Sequence, residues 1–293
     1  MSKLISVGQI IDGAWTHYTK HFQSLMKISL WFFLIPLLML IATILTPVED
    51  LATLLDNQLI TVGNIIGLVI GGLATLVVSP IVGIWIFLNL VQAIDRQASG
   101  KKVNFKTTNR AAWKLFFPYI WAAVLKGLVI LLPLLLILPG LILIFTNVEI
   151  EGGVFLGALS LLLTFLGVVA AFLLVAKFGI ELSFVEFELV LNRKRGVQTL
   201  KGSRAIVKGR WWQVLWRFLL PTAVFSFGVL IAELVLVLFY TLLLAALTTL
   251  GEAAVVRIDA IAQSIITFGM AAVSTPLFVI VGYLIYDSLR KTK

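Results

Sequence analysis

A chain of 293 residues with 60% hydrophobic and only 13% charged side chains departs from water-soluble domains, where about a quarter of residues are charged. Its apolar stretches leave no length for a separate soluble catalytic domain, and the lack of cysteine excludes disulfides, iron–sulfur clusters, thiolate zinc sites and cysteine nucleophiles. The net charge of +9 is accounted for by Lys and Arg gathered on one side of a membrane, so no nucleic-acid partner is expected.

In chain order, Ile10, Ile11, Ala14, Trp15, Tyr18 and Phe22 recur at helical spacing opposite Gln9, Asp12, Thr16 and Lys20. Such a helix can lie in the headgroup plane, its apolar stripe toward the acyl chains. His17 and His21 share one face of it, but two imidazoles do not complete a metal site, and no metal is expected. The first span is Ile28–Leu45; nothing resembling a cleavable signal precedes it, so it is expected to serve as its own insertion signal. The second is Val62–Ile94, where Gly63, Gly67 and Gly71 line one face and allow close approach of another helix, from this chain or a second copy. The third, Phe117–Phe145, is interrupted by Pro133 and by Pro139-Gly140. The fourth is Val154–Val175 with a helical extension to Leu191, the fifth Phe218–Leu250 and the sixth Ile261–Tyr286. Excess length is expected to be absorbed by tilt or by kinks at Pro80, Pro133, Pro221 and Pro276.

All but three of the 23 basic residues lie in the two terminal segments and in the connectors Asp95–Lys114 and Asn192–Arg217. The alternate connectors carry Glu49, Asp50, Asp56, Glu149, Glu151, Glu252 and Asp259, with Arg257 alone basic. That asymmetry predicts both termini in the cytoplasm of a plasma membrane, as in a bacterium. Phe22, Phe117 and Trp212, each following a basic aromatic stretch, recur at an interval of about 95 residues. One reading is three copies of a helical-hairpin unit, 1–96, 97–191 and 192–293, within a single membrane domain; the other is that basic anchoring makes any three hairpins look alike.

Few charges interrupt the spans. Glu233 lies about 23 Å into the fifth, near the bilayer midplane, where a carboxyl group serves either as a proton or substrate site or as a protonated partner between helices. Lys126, Lys177 and Glu181 sit at matching depths near the cytoplasmic ends of spans three and four, and a Lys126–Glu181 pair is expected. No phosphate-binding loop, dinucleotide fingerprint, zinc-protease motif or nucleophile elbow occurs, so neither an enzyme nor a cofactor is expected.

The run from Gly196 through Leu200-Lys201-Gly202-Ser203-Arg204 to Lys208-Gly209-Arg210-Trp211-Trp212 resembles the signature of the glycerophosphoryl diester phosphodiesterase membrane-domain family. The opening Ser6–Trp15 and the Pro139-Gly140 pair are similar to that family too. The resemblance implies a multi-span bacterial membrane protein; some relatives carry a fused phosphodiesterase domain, but no catalytic residue carries over to this chain. Lys201, Arg204, Lys208 and Arg210 can reach lipid phosphates, and Trp211 and Trp212 suit the interfacial belt. The expectation is an all-α, six-span polytopic bundle with amphipathic interfacial helices. Its leading function is the binding or organisation of lipids with anionic headgroups; the alternative is a secondary transporter or lipid-moving protein that uses Glu233.

Overall fold

The computed structural model describes residues 4–46, 62–146, 153–246 and 252–292, and every regular element among them is helical. In chain order these are α1 (Val7–Lys20), α2 (Phe22–Ser29), a 3₁₀ turn (Leu30–Phe33), α3 (Leu34–Leu45), α4 (Val62–Leu73), a π-helical turn (Ala74–Val78), α5 (Ser79–Ala98), α6 (Phe105–Leu131), a 3₁₀ segment (Leu132–Ile137), α7 (Leu138–Thr146), α8 (Gly153–Glu181), α9 (Val185–Leu191), α10 (Val197–Val207), α11 (Trp211–Ala246) and α12 (Glu252–Lys291). Six stretches are long and apolar enough to cross a membrane: Phe22–Leu45, Val62–Ala98, Phe105–Thr146, Phe155–Leu191, Trp211–Ala246 and Arg257–Lys291. The chain is an all-α, multi-pass membrane protein. The acidic connectors holding Glu49, Asp50, Asp56, Glu149 and Glu151 lie outside the described residues.

The prolines act through the backbone hydrogen bond each cannot make. Pro36 has no N–H for the Phe32 carbonyl, and the chain enters α3 through the 3₁₀ turn just before it. Pro80 follows the π-helical turn and Pro133 lies in the 3₁₀ segment, so both interrupt the α-helical ladder as expected. Pro221 and Pro276 do not: α11 and α12 run unbroken through them.

Two compact units form. Among the described residues, one, central in sequence, falls within 114–217 and 285–292, together with Leu4; the other, flanking it in sequence, falls within 5–113 and 218–284. In the flanking unit, Ser6 caps α1 reciprocally: its hydroxyl accepts from Gln9 N at 3.3 Å while Gln9 Oε1 accepts from Ser6 N at 3.0 Å. The apolar stripe of α1 divides. Ile10, Ala14 and Tyr18 are buried, and the Tyr18 hydroxyl donates to the Val273 carbonyl of α12 at 3.0 Å, so these three serve the protein core and not the acyl chains. Trp15 and Phe22 stay exposed.

The glycine stripe of α4 finds its partner within the chain. A Cβ at Gly67 would lie 2.8 Å from the Ala42 carbonyl and 3.1 Å from Thr46 N, and one at Gly71 would touch Ala42 Cβ at 3.6 Å. The backbones of α3 and α4 therefore meet at Gly67, which only a residue without Cβ permits. In the central unit Gly140 and Gly167 do the same for α7 and α8: a Cβ at Gly140 would fall 2.7 Å from Thr164 Cα, and one at Gly167 3.1 Å from Ile137 Cα.

His17 joins α1 to α5 in the flanking unit. Its Nε2 lies 2.9 Å from Gln97 Oε1, Gln97 Nε2 donates to Ser24 Oγ at 2.8 Å, and the His21 ring stacks obliquely at 4.8 Å. Burial chiefly holds both imidazoles below the usual histidine value; for His17 the Gln97 hydrogen bond opposes it and the His21 and then the Lys20 charge add to it, and for His21 the Lys20 charge adds. A folded pKa below the unfolded one favours the neutral ring in the fold. This contribution is therefore complete above the unfolded value of 6.5 and is lost as pH falls through the folded values. Acidification from about pH 7 to 5 should accelerate amide exchange over α1 and α2, after correction for intrinsic rates, and His17→Gln should flatten that dependence.

Candidate functional site

The connector between spans four and five is built, in the central unit, around a break in the helix. α8 ends at Glu181, and α9 restarts at Val185. The break leaves polar backbone groups that must be satisfied. The Ser203 hydroxyl of α10 does this twice, donating to the Glu181 carbonyl at 2.6 Å and accepting from Phe184 N at 3.2 Å. After α9 the chain turns through Arg193 and Gly196, with φ of 54° and 52°, into α10. The Trp211 indole at the head of α11 then donates to the Lys177 carbonyl at 3.3 Å, closing the connector over the end of α8.

Between α8, α10 and α11 lies a cleft of about 330 Å³ lined by Glu181, Arg204, Ala205, Val207, Lys208, Gly209 and Trp211. The Arg204 guanidinium lies 5.2 Å from the Phe178 ring centre and 3.4 Å from Glu181 Oε2. Lys208 is exposed and makes no ion pair among the described residues. With one carboxylate against two cations, the lining is net positive. Ala205, Val207 and the Trp211 ring make the rest of the lining largely apolar, which suits a phosphate with hydrocarbon attached.

Of the six residues expected at lipid headgroups, Arg204, Lys208 and Trp211 line this cleft, while Lys201 and Trp212 are exposed beside it. Arg210 is committed elsewhere. Its Nη1 donates to Thr292 Oγ1 at 2.6 Å and its Nη2 to the Thr292 carbonyl at 2.8 Å, tying the end of α12 to the connector.

The expected Lys126–Glu181 pair does not form. Lys126 Nζ instead lies 2.7 Å from Glu186 Oε1, and Glu181 faces Arg204. Packing explains the exchange. Ala122, one helical turn before Lys126, is buried with Leu182, Val185 and Leu200, which brings the next residue after Val185, Glu186, to the lysine. The Lys177 side chain is exposed. Glu233, in the flanking unit, is half-buried in α11 and makes no hydrogen bond or ion pair among the described residues.

Sequence reasoning missed a fully buried charged residue just before the connector, Glu188, whose side chain is 0% exposed. Its Oε1 accepts from the Tyr286 hydroxyl at 3.0 Å and from Asn192 Nδ2 at 3.1 Å, and Lys194 Nζ stands 2.7 Å from Oε2. Asn192 Nδ2 also donates to the Tyr286 oxygen at 2.9 Å. Phe184 and Phe187 flank the Tyr286 ring with centres 5.8 and 5.5 Å away. The available signal was a pair of acids, Glu186 and Glu188, at the otherwise basic end of a span.

No protein-family model, no curated protein and no solved structure matches this chain.

Proposed function

We propose that this is a lipid-binding, non-enzymatic membrane protein that holds anionic headgroups at the α10–α11 connector. The observation that carries the reading is the cleft that Arg204, Lys208 and Trp211 line together with the apolar Ala205 and Val207. Binding is favoured over catalysis because the one carboxylate of the cleft, Glu181, is already opposed by Arg204 and leaves no free base beside Lys208. The basic residues at the termini and alternate connectors support a plasma-membrane location, bacterial, with both termini cytoplasmic. The run Gly196–Trp212 supports membership of the glycerophosphoryl diester phosphodiesterase membrane-domain family, with a role in envelope or lipid homeostasis. Mass spectrometry of lipids that co-purify with the protein tests the reading: phosphatidylglycerol or cardiolipin should be retained by the wild type and lost from Arg204→Gln/Lys208→Gln.

A second reading, transport of a substrate or a lipid with Glu233 as the coupling group, is favoured by the lack of any partner for that half-buried carboxyl among the described residues. Under it, Glu233→Gln should abolish flux in reconstituted vesicles while leaving the unfolding midpoint unchanged. Flux that survives the substitution removes this reading.

A further inference from the structure

Two clefts of the flanking unit meet at Lys27. One, of about 380 Å³, is lined by Ser24, Lys27, Ile28, Val103 and Phe105. The other, of about 330 Å³, is lined by Lys27, Leu30, Trp31, Phe33, Leu34 and Leu37. Lys27 lies in the last turn of α2, is exposed, and its ammonium makes no hydrogen bond or ion pair among the described residues. No acidic side chain lines either cleft. An anion beside Lys27 would thus meet no opposing carboxylate, unlike one in the α10–α11 cleft, where Glu181 stands by.

The second cleft has the direction and length of a lipid tail. Leu30, Leu34 and Leu37 follow one another at about one helical turn, continuing from Lys27 across the 3₁₀ turn into α3. Ten residues at a rise of about 1.5 Å cover about 15 Å, half of a hydrocarbon core about 30 Å thick, which is the depth of a single leaflet.

We propose that these joined clefts bind one anionic phospholipid of the surrounding bilayer, its phosphate on Lys27 and one acyl chain along Leu30, Leu34 and Leu37 beside Trp31. Ser24 and Ile28 bound the headgroup side. The apolar groove accepts the tail of any phospholipid, so the preference for an anionic one comes from Lys27. A single basic residue at a membrane surface gives about fivefold selectivity. This site is separate in residues and in unit from the α10–α11 cleft, and either can fail without the other.

The test uses the full-length protein in phosphatidylcholine vesicles containing a minor fraction of phospholipid with brominated acyl chains, which quench tryptophan on contact. Brominated phosphatidylglycerol should quench more than brominated phosphatidylcholine at equal mole fraction. The part of that excess that depends on Trp31, read as the difference between each protein and the same protein carrying Trp31→Phe, reports on this site, since Trp211 and Trp212 report on the α10–α11 cleft. This Trp31-dependent excess, a preference of about fivefold, should vanish in Lys27→Gln. Lys27→Arg should retain it, which shows that a loss in Lys27→Gln is a loss of charge and not of fold. Arg204→Gln/Lys208→Gln should retain it as well. Equal Trp31-dependent quenching by the two lipids, a Trp31-dependent excess that persists in Lys27→Gln, or one that disappears only with the α10–α11 variant would each overturn the proposal.

Discussion

Neutralising Arg204 and Lys208 together is expected to weaken binding of phosphatidylglycerol to the protein by about 30-fold, because each cation near an anionic headgroup contributes roughly 1 kcal/mol. The two do not contribute alike. Lys208 is unopposed, so Lys208→Gln subtracts its own attraction alone. Arg204 also shields Glu181 at 3.4 Å, so Arg204→Gln both removes a cation and exposes a carboxylate to the incoming phosphate. The arginine substitution should therefore be the more damaging of the two, and Glu181→Gln should tighten binding. These are exposed charges, and at 1 M salt, where the screening length is about 3 Å, wild type and variants should converge. Titration of phosphatidylglycerol into the detergent-solubilised protein across a salt series measures all of this. Identical binding by wild type and the double variant at low salt would mean that phosphate contacts lie elsewhere.

Replacing Glu188 by alanine is expected to lower stability by about 3 kcal/mol, from one orphaned buried donor and the cavity left by the side chain. The donor is the Tyr286 hydroxyl, whose buried ring is fixed between Phe184 and Phe187. Lys194 limits the damage. Its side chain is 40% exposed and can turn into solvent, so no buried cation is stranded and the cost stays below the worst cases of broken ion pairs. Tyr286→Phe alone should cost about 1 kcal/mol, and Glu188→Ala/Tyr286→Phe less than the sum, since each removes the other's partner. Unfolding midpoints of the purified protein in detergent give the comparison. Strict additivity would show that the carboxylate and the hydroxyl are not coupled.

Apolar length and charge placement made the architecture readable: six crossings in the right order follow from runs that only hydrocarbon can accommodate. Each described helix extends past its apolar run at the basic connector, as Trp211 does before Phe218, because polar surroundings stop the hydropathy signal and not the hydrogen-bond ladder. The close approach at Gly67 was legible for the same local reason, although its partner, Ala42, was not. The site was only half legible. Arg204, Lys208 and Trp211 converge because they share one connector, which spacing can reveal. The exchange of Glu181 for Glu186 beside Lys126 depends on where α8 breaks, and that break is fixed by Ser203, about 20 positions along the chain, a contact no period encodes. Glu188 escaped notice because its buried partner, Tyr286, lies 98 residues further along the chain, beyond the reach of any local spacing.

The backbone contacts at Gly67, Gly140 and Gly167 each join a helix to its immediate neighbour in the chain, and Tyr240 reaches Asp259 at 2.7 Å between the last two. The tightest packing of this protein is thus local. Each pair of helices can close as soon as its second member leaves the ribosome, before any later segment has been made. The central unit differs, since Tyr286 and Thr292 follow their partners Glu188 and Arg210 by 98 and 82 residues and are synthesised well after them. Maturation would then have two stages, rapid closure of hairpins during translation and a later locking step when Tyr286 and Thr292 arrive.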